Sequence, residues 1–178
     1  MNLTGISDRG RIVLELLLDS LIPVPLIPEK GMMLDAGSGA GFPGIPLKIC
    51  RPHQKTVLVE ANSKKVSFLK QVIRLLKLDH IQVLHGRIEG HGKDLIEGGY
   101  HLVTARAMAP LDKTIQWCSP FLSSGGMLIC YLGGEAREKM ERHRKMIEDC
   151  SLLIHQSISY SLPHRQVNRT LVIFKKKA

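Results

Sequence analysis

The sequence predicts one α/β domain, built on a mostly parallel, twisted sheet of seven strands that ends in an antiparallel hairpin. Short apolar, β-rich runs alternate with amphipathic helical segments, and a glycine-rich turn follows the first run. The last two runs have no helical segment between them. Such alternation is typical of an open sheet with helices on both faces, and the helix-free step indicates a hairpin. With 178 residues, 44% of them hydrophobic, the chain suffices for one core and is short for two domains.

The first predicted element is a helix that continues to about Leu21. Ser7 or Asp8 can cap its amino terminus, and Pro23 ends it. Its apolar residues, which we expect on the buried side, are Ile12, Val13, Leu16 and Leu17. We assign residues 1–28 to an N-terminal helical segment and residues 29–178 to the domain itself.

The remaining elements follow in a regular order. Strands are predicted at Met32–Ala36, Thr56–Glu60, Ile81–Leu84, His101–Ala105 and Gly125–Leu132, and the hairpin at Ser151–Tyr160 and Thr170–Phe174. Helices are predicted from Pro43 to Arg51, after a cap at Asn62 or Ser63, from Leu111 to Phe121 and from Glu135 to Asp149. The second of these has its apolar residues at helical spacing, so we expect its Lys70, Arg74 and Lys77 to face outward.

The chain carries a net charge of +9, and the excess is unevenly placed. Residues 36–88 contain nine Lys or Arg and only two acidic residues. A positive field concentrates polyanions, so it favours a nucleic-acid partner over a basic surface with no specific partner. Our candidate RNA-binding residues are Arg51, Lys64, Lys65, Arg165 and Arg169. The last two flank the final strand, where they could instead protect a sheet edge.

Other classes of protein are disfavoured. No run of 18 uncharged apolar residues and no signal peptide is recognisable, so we expect a cytoplasmic protein without a membrane span. Cys50, Cys118, Cys130 and Cys150 lie too far apart for a CxxC pair. We expect buried free thiols and no metal site.

The stretch from Asp35 to Gly44 predicts a cofactor pocket. Gly37, Gly39 and Gly41 alternate after a strand that carries Asp35 at its end, next to Ala36, so the backbone can turn tightly beside a ligand. A dinucleotide site places its acidic residue about 20 residues later, whereas a carboxylate at the turn suits a cationic ligand. We therefore predict that Asp35 holds the amino-acid part of S-adenosylmethionine. A nicotinamide or flavin site, or a glycine turn without a ligand, remains as an alternative.

Residues that follow the later strands should converge on the same pocket. Glu60 ends the second strand, where its carboxylate could accept both ribose hydroxyls. Arg87, Ile88 and Glu89 follow the third strand, near an expected adenine edge, although Arg87 and Glu89 could equally form a surface ion pair. Arg106 follows the fourth strand, and its planar guanidinium could contact the cofactor, a base or a phosphate.

Seven segments together resemble one family. They are Asn2-Leu3-Thr4, Leu18-Asp19-Ser20-Leu21, the run from Leu34 to Leu47 with Phe42-Pro43-Gly44-Ile45-Pro46, the run from Val59 to Leu69, Gly86-Arg87-Ile88-Glu89, Thr104-Ala105-Arg106-Ala107 and Arg169-Thr170-Leu171-Val172-Ile173. The chain resembles the glucose-inhibited-division protein B family, bacterial guanine-N7 methyltransferases of small-subunit ribosomal RNA. The resemblance implies a Rossmann-like class I methyltransferase domain, a ribosomal RNA substrate, and S-adenosylmethionine contacts at Gly37, Phe42, Ile88, Glu89 and Arg106.

The chain departs from the family pattern at several charged positions. The family usually has Arg-His where Glu15-Leu16 stand, Lys-Gly at Leu132-Gly133, and Glu-Arg-His at Asn168-Arg169-Thr170. It also usually has further helical residues before Asn2. These departures leave the glycine turn intact, so cofactor binding is better supported than the choice of substrate.

Guanine N7 carries a lone pair and no proton, so its methylation requires no general base. Orientation of N7 towards the methyl group should supply most of the rate acceleration. The expected substrate is small-subunit ribosomal RNA or its assembly intermediate. A methyltransferase of proteins or small molecules, and a non-catalytic RNA-binding module, are the alternatives.

Overall fold

The computed structural model of the chain describes residues 5–6, 8–90, 94–133, 136–163 and 168–178. Its seven strands form one sheet in the order β3-β2-β1-β4-β5-β7-β6. The strands are β1 (Met32–Ala36), β2 (Lys55–Glu60), β3 (Ile81–His85), β4 (Tyr100–Arg106), β5 (Leu122–Leu132), β6 (Leu152–Tyr160) and β7 (Arg169–Lys176). All run in one direction except β7, which lies antiparallel between β5 and β6. The predicted fold class is confirmed.

The helices cover both faces of this sheet. They are α1 (Arg9–Ile12), α2 (Asp19–Leu21), α3 (Gly44–Cys50), α4 (Ser63–Leu75), α5 (Leu111–Cys118), α6 (Ala136–Arg142) and α7 (Arg144–Asp149), with short 3-10 turns at Val24–Leu26, Ile88–Gly90 and Ser119–Phe121. The side chain of Asn62 caps α4 by accepting from the amides of Lys64 and Lys65. The prediction of a cap at this position is confirmed, whereas Glu135, the predicted start of α6, lies outside the described residues.

Strand β1 shows how alternation divides the core. Leu34 and Ala36 pack in the cluster that contains residues of α5, α6 and α7. Met33 packs on the other face, against Leu47 of α3 and Ile27 of the N-terminal segment. Successive side chains of a strand point to opposite faces, so Asp35 lies on the same side as Met33, under α3.

The N-terminal helix, residues 9–21, corrects one prediction. Asp8 caps it, and α1 and α2 are joined by a π-helical segment, Val13–Leu18, while Ser7 lies outside the described residues. Leu16 is buried and Ile12 partly so, but Val13 and Leu17 are 47% and 36% exposed. The buried side instead carries Leu16 with the polar residues Glu15, Asp19 and Ser20. The apolar pattern predicted the wrong buried face because this helix contacts polar side chains of the sheet.

The cysteines also depart in part from expectation. Cys118 and Cys130 are buried, whereas Cys150 is partly buried and Cys50 is exposed at the end of α3. Burial raises the pKa of the Cys130 thiol to about 12 and that of Cys118 well above its usual value. Both buried thiols therefore stay protonated and behave as small apolar groups.

Candidate functional site

A cavity of about 540 Å³ opens at the carboxyl ends of β1, β2 and β4. It is within the range of small-molecule sites, and its position is where open α/β sheets bind ligands. Its walls come from the glycine turn, the ends of three neighbouring strands, the 3-10 turn after β3 and the N-terminal segment. The described lining residues are Ile6, Leu16, Gly37, Ser38, Gly39, Ala40, Phe42, Val59, Glu60, Ala61, Lys65, Gly86, Arg87, Ile88, Glu89, Arg106, Ala107, Met108 and Trp117.

The glycine turn gives the cavity a backbone wall. Gly37 has φ +68°, and a Cβ built on it would stand 2.8 Å from Cγ of Met108. Any side chain at this position would be strained and would crowd the wall. Gly39 and Phe42 also line the cavity, but Gly41 does not: a Cβ there would meet Ile45 and Leu69 in the core. Packing against Ile45 and Leu69 thus accounts for a glycine at position 41, and its predicted ligand contact stays a prediction.

Asp35 does not line the cavity. Its side chain is completely buried, with Oδ1 accepting from the Thr104 hydroxyl at 2.7 Å and Oδ2 from the Gly44 amide at 3.2 Å. Burial raises the pKa of Asp35 from 3.8 to about 6, and these hydrogen bonds oppose the rise. The predicted contact between Asp35 and a ligand is thus replaced by an indirect role: the carboxyl ties β1 to β4 and to the start of α3, and so fixes the turn.

Glu60, the last residue of β2, lines the cavity beside the glycine turn. Its Oε2 accepts from the Gly39 amide at 2.7 Å, and its Oε1 from the Asn62 amide at 2.8 Å. The carboxylate therefore links the glycine turn to the cap of α4. Each carboxylate oxygen has a further lone pair, so both can still accept hydroxyl protons from a ligand.

The segment after β3 supplies the opposite wall. Ile88 is buried and contributes an apolar surface, while Arg87 and Glu89 form an ion pair at 3.8 Å and both line the cavity. The Arg87 side chain is 77% exposed, so this pair contributes little to stability. The sequence left a ligand contact and a surface ion pair as alternatives, and the geometry is compatible with both.

Arg106, the last residue of β4, lies in the cleft as predicted. Its Nη2 donates to the carbonyl of Glu15 at 2.6 Å, and its Nη1 to that of Leu16 at 3.4 Å. The same guanidinium stands 3.4 Å from a carboxylate oxygen of Asp19. Arg106 thus lines the cavity while it holds the N-terminal helix.

The predicted RNA-binding residues occupy different environments. Lys64 is exposed, and Lys65 is partly buried in the cavity wall. Arg51 is partly buried and donates to the carbonyl of Val24 at 2.7 Å. Arg169 is ion-paired inside the chain, 3.0 Å from Asp19, whereas Arg165 lies outside the described residues.

Not all cations of residues 36–88 add to the positive surface. Lys48 is buried and donates to the carbonyls of Pro52 and Gln54. Lys55, Lys64, Lys70, Arg74, Lys77 and Arg87 are exposed. Three of these, Lys70, Arg74 and Lys77, are the residues predicted to face outward from α4 or its end, and that prediction is confirmed.

Several wall residues escaped the sequence analysis. Ala107 and Met108 directly follow Arg106, so the rule that residues after strand ends converge could have found them. Ile6 precedes α1, Leu16 lies in the N-terminal helix and Trp117 in α5, and no local pattern pointed to them. Ala107 and Met108 also line a second cavity of about 200 Å³ beyond the ends of β4 and β5, which includes Leu132, Gly133 and Tyr131.

The positions that depart from the family pattern are neighbours in space. Leu132 pairs with Thr170 across β5 and β7. Glu15 stands 3.7 Å from Arg169, the residue between Asn168 and Thr170. Among the described residues, no three His, Cys, Asp or Glu side chains gather as a metal site would require, and no helix has the length and apolar character needed to cross a membrane.

Comparison with known proteins adds to this geometry. A family model described as rRNA small subunit methyltransferase G matches residues 1–170. Ribosomal RNA small subunit methyltransferase G of Thermoanaerobacter sp. (strain X514) is 36% identical over 179 residues, covering 99% of this chain and 75% of that protein. The protein of the same name from Lactobacillus acidophilus is 33% identical over 181 residues, with the same coverage.

Solved structures match the fold at lower identity. TYW2 of M. jannaschii in complex with AdoMet gives a TM-score of 0.72 at 15% identity, covering 96% of this chain and 76% of that one. Geranyl diphosphate C-methyltransferase from Streptomyces coelicolor A3(2), solved with S-adenosyl-L-homocysteine, gives 0.67 at 14% identity, covering 90% and 76%. These likenesses establish the class I methyltransferase fold.

Proposed function

The chain belongs to the rRNA small subunit methyltransferase G family, and on that premise we propose that it transfers a methyl group from S-adenosylmethionine to N7 of a guanine in small-subunit (16S) ribosomal RNA. The observation that carries the proposal is the cavity in which Glu60 faces the glycine turn at the carboxyl end of the sheet. Glu60 would accept the two ribose hydroxyls through its remaining lone pairs.

The other walls fit the rest of the cofactor. Ile88 and Phe42 offer apolar surface to an adenine ring, and Glu89 is an acceptor at its edge. The backbone of Gly37 and Gly39 leaves room for the amino-acid part, and Asp35 supports that backbone from behind through Gly44. Arg106 completes the wall next to the N-terminal helix.

When bound, S-adenosylmethionine supplies the methyl group, whose bond to sulfur breaks as the bond to guanine N7 forms. N7 has no proton to lose, so the protein has to orient the base and exclude water. The cavity beyond β4 and β5, which shares Ala107 and Met108 with the cofactor cavity, is where we place the guanine. Its walls include the apolar side chains of Leu111 and Leu132.

The positive surface supports the choice of an RNA substrate. Lys64, Lys70 and Arg74 are exposed on α4, the helix that begins beside Glu60, and Arg87 is exposed on the neighbouring wall. Phosphate contacts of this kind position a nucleic acid without reading its sequence. We further propose that the protein acts in the cytoplasm on ribosomal RNA or on an assembly intermediate of the small subunit. The proposed division of the chain is an N-terminal helical segment, residues 1–28, and the methyltransferase domain, residues 29–178.

A methyl-transfer assay tests the proposal. The protein is incubated with S-adenosylmethionine labelled in the methyl group and with small subunits, stripped small-subunit RNA or a cell lysate. We expect label in 7-methylguanine after digestion of the RNA to nucleosides, and loss of that label in Glu60→Gln. Label in protein or in small molecules, or cofactor and RNA binding without transfer, would contradict the proposal.

A further inference from the structure

The N-terminal helix is attached to the sheet through polar groups. Its residues Asp19 and Ser20 are almost completely buried, whereas Val13, Leu17 and Leu18 are between 36% and 47% exposed. The face turned to the sheet therefore carries three buried polar residues, Glu15, Asp19 and Ser20, beside the apolar Leu16. A buried carboxylate is unfavourable unless it is paired, so the partners of Asp19 decide how the helix is held.

Asp19 contacts three different strands. Its Oδ1 accepts from the Tyr160 hydroxyl of β6 at 2.6 Å. Its Oδ2 stands 3.0 Å from Nη1 of Arg169, at the start of β7, and 3.4 Å from Nη2 of Arg106, at the end of β4. Two guanidinium groups and a phenol thus converge on one carboxylate that is 1% exposed.

The helix backbone completes the contact with Arg106. The carbonyls of Glu15 and Leu16 accept from this guanidinium, and both belong to the π-helical segment. Short π-helical turns change the hydrogen-bond pattern of a helix and often occur at functional sites. Tyr131 adds two further contacts: its hydroxyl donates to the carbonyl of Ser20 at 3.1 Å, and its ring lies 5.9 Å from the guanidinium of Arg106.

Arg106 and Leu16 both line the cofactor cavity, but Asp19 does not. Anything that fixes Arg106 against the helix therefore also fixes two wall elements of the cavity. Asp19 provides the charge that Arg106 meets on the helix side, and Arg169 and Tyr160 hold that charge in place.

We propose that Asp19 is a positioning residue for cofactor binding, which acts through Arg106 to keep that guanidinium and the Leu16 wall in their binding geometry. The inference rests on the proposed function, because the cavity must be the cofactor site. It assigns Asp19 a role in affinity for the cofactor, in addition to its part in packing.

A double-mutant cycle tests whether Asp19 acts through Arg106. The Kd for S-adenosylhomocysteine is measured by calorimetry for wild type, Asp19→Asn, Arg106→Gln and the double variant, after thermal melts confirm that each is folded. We expect a Kd about tenfold higher in Asp19→Asn, and a double variant that equals Arg106→Gln within about twofold. The Kd for small-subunit RNA and its dependence on salt should stay as in wild type.

Two further variants keep the result interpretable. Glu148→Gln removes an exposed carboxylate from the ion pair with Arg144 and should leave the Kd unchanged. Tyr160→Phe removes one hydrogen bond to Asp19 and leaves the charge of Asp19 in place. If Asp19→Asn does not fold, Tyr160→Phe takes its place in the cycle. We then expect a Kd for S-adenosylhomocysteine about twofold to threefold higher than in wild type, and no such increase in the Arg106→Gln background.

Binding of S-adenosylhomocysteine to wild type distinguishes a failure of the proposed function from a failure of the positioning role. If wild type binds no S-adenosylhomocysteine, the proposed function fails and this inference falls with it. If wild type binds and transfers methyl groups, but the losses from Asp19→Asn and Arg106→Gln add, or Asp19→Asn lowers only thermal stability, then the positioning role alone is overturned.

Discussion

Replacement of Asp35 by Asn should change how stability depends on pH. The pKa of Asp35 is raised by burial from 3.8 to about 6. Each pKa unit corresponds to about 1.4 kcal/mol, so ionisation of this carboxyl in the folded protein costs about 3 kcal/mol of stability. Because the folded-state pKa is the higher one, the carboxyl's favourable contribution is present below about pH 4 and is lost as the pH rises through 6.

Urea unfolding of wild type and Asp35→Asn at several pH values between 4 and 7 measures this contribution. We expect the free energy of unfolding of wild type, relative to that of the variant, to fall by about 2 kcal/mol across this range, because the carboxyl is already partly ionised in the unfolded chain at pH 4. Glu138→Gln, which removes an exposed carboxylate paired with Arg142, controls for the change in net charge. If the difference in free energy of unfolding between wild type and Asp35→Asn is independent of pH, or rises with pH, Asp35 is not a buried carboxyl with a raised pKa that stabilises the turn.

Three further predictions concern the cavity, the positive surface and the turn. Glu60→Gln should raise the Kd for S-adenosylhomocysteine at least about tenfold in calorimetry, since an amide NH₂ would face one of two backbone N–H donors, at Gly39 or Asn62; an unchanged Kd contradicts this. The double variant Lys64→Ala with Lys70→Ala should weaken RNA binding and reduce the magnitude of the negative slope of log K for RNA against log salt concentration by about 1 to 2. Cofactor binding should stay intact, which is why the exposed Lys70 is replaced and not Lys65, a residue of the cavity wall. Gly44→Ala should lower the free energy of unfolding by about 1 to 3 kcal/mol, because its Cβ would lie 2.5 Å from Cδ2 of Leu58 and 2.6 Å from Oδ2 of Asp35. Gly133→Ala is the control, since its Cβ would meet nothing within 4 Å. Equal losses of stability in the two variants would contradict the steric explanation.

The strands and the residues at their ends could be predicted largely from sequence. Apolar runs bounded by turn residues located β1 at its observed limits, and Glu60 was expected at the end of β2. Both predictions depend on local patterns, and a parallel sheet places the carboxyl ends of its strands at one edge.

Asp35 shows where local reasoning ends. It precedes the last residue of β1 and pairs with Leu58 and Thr104 inside the sheet, whereas Glu60 is itself the last residue of its strand. Strand alternation turns Asp35 towards α3, where Gly44 meets it. The contact between Asp35 and Gly44 joins residues nine positions apart and depends on how α3 packs on the sheet. A local sequence pattern therefore does not predict it.

The prediction of the buried face of the N-terminal helix was wrong for a different reason. Helical periodicity identifies which residues share a face, but it assigns the buried face by assuming an apolar partner. Here the partners are Arg106, Arg169 and Tyr160, which lie 87, 150 and 141 residues after Asp19 in the chain. Long-range polar pairs of this kind leave no pattern in the local sequence.

Calorimetric titration of the purified protein with S-adenosylmethionine tests the cofactor assignment most directly. We expect one molecule bound per chain, with affinity strongly reduced in Glu60→Gln and retained in Glu148→Gln. No heat of binding, or equal affinity in all three proteins, would contradict the assignment of the cavity beside Glu60 as the methyl-donor site.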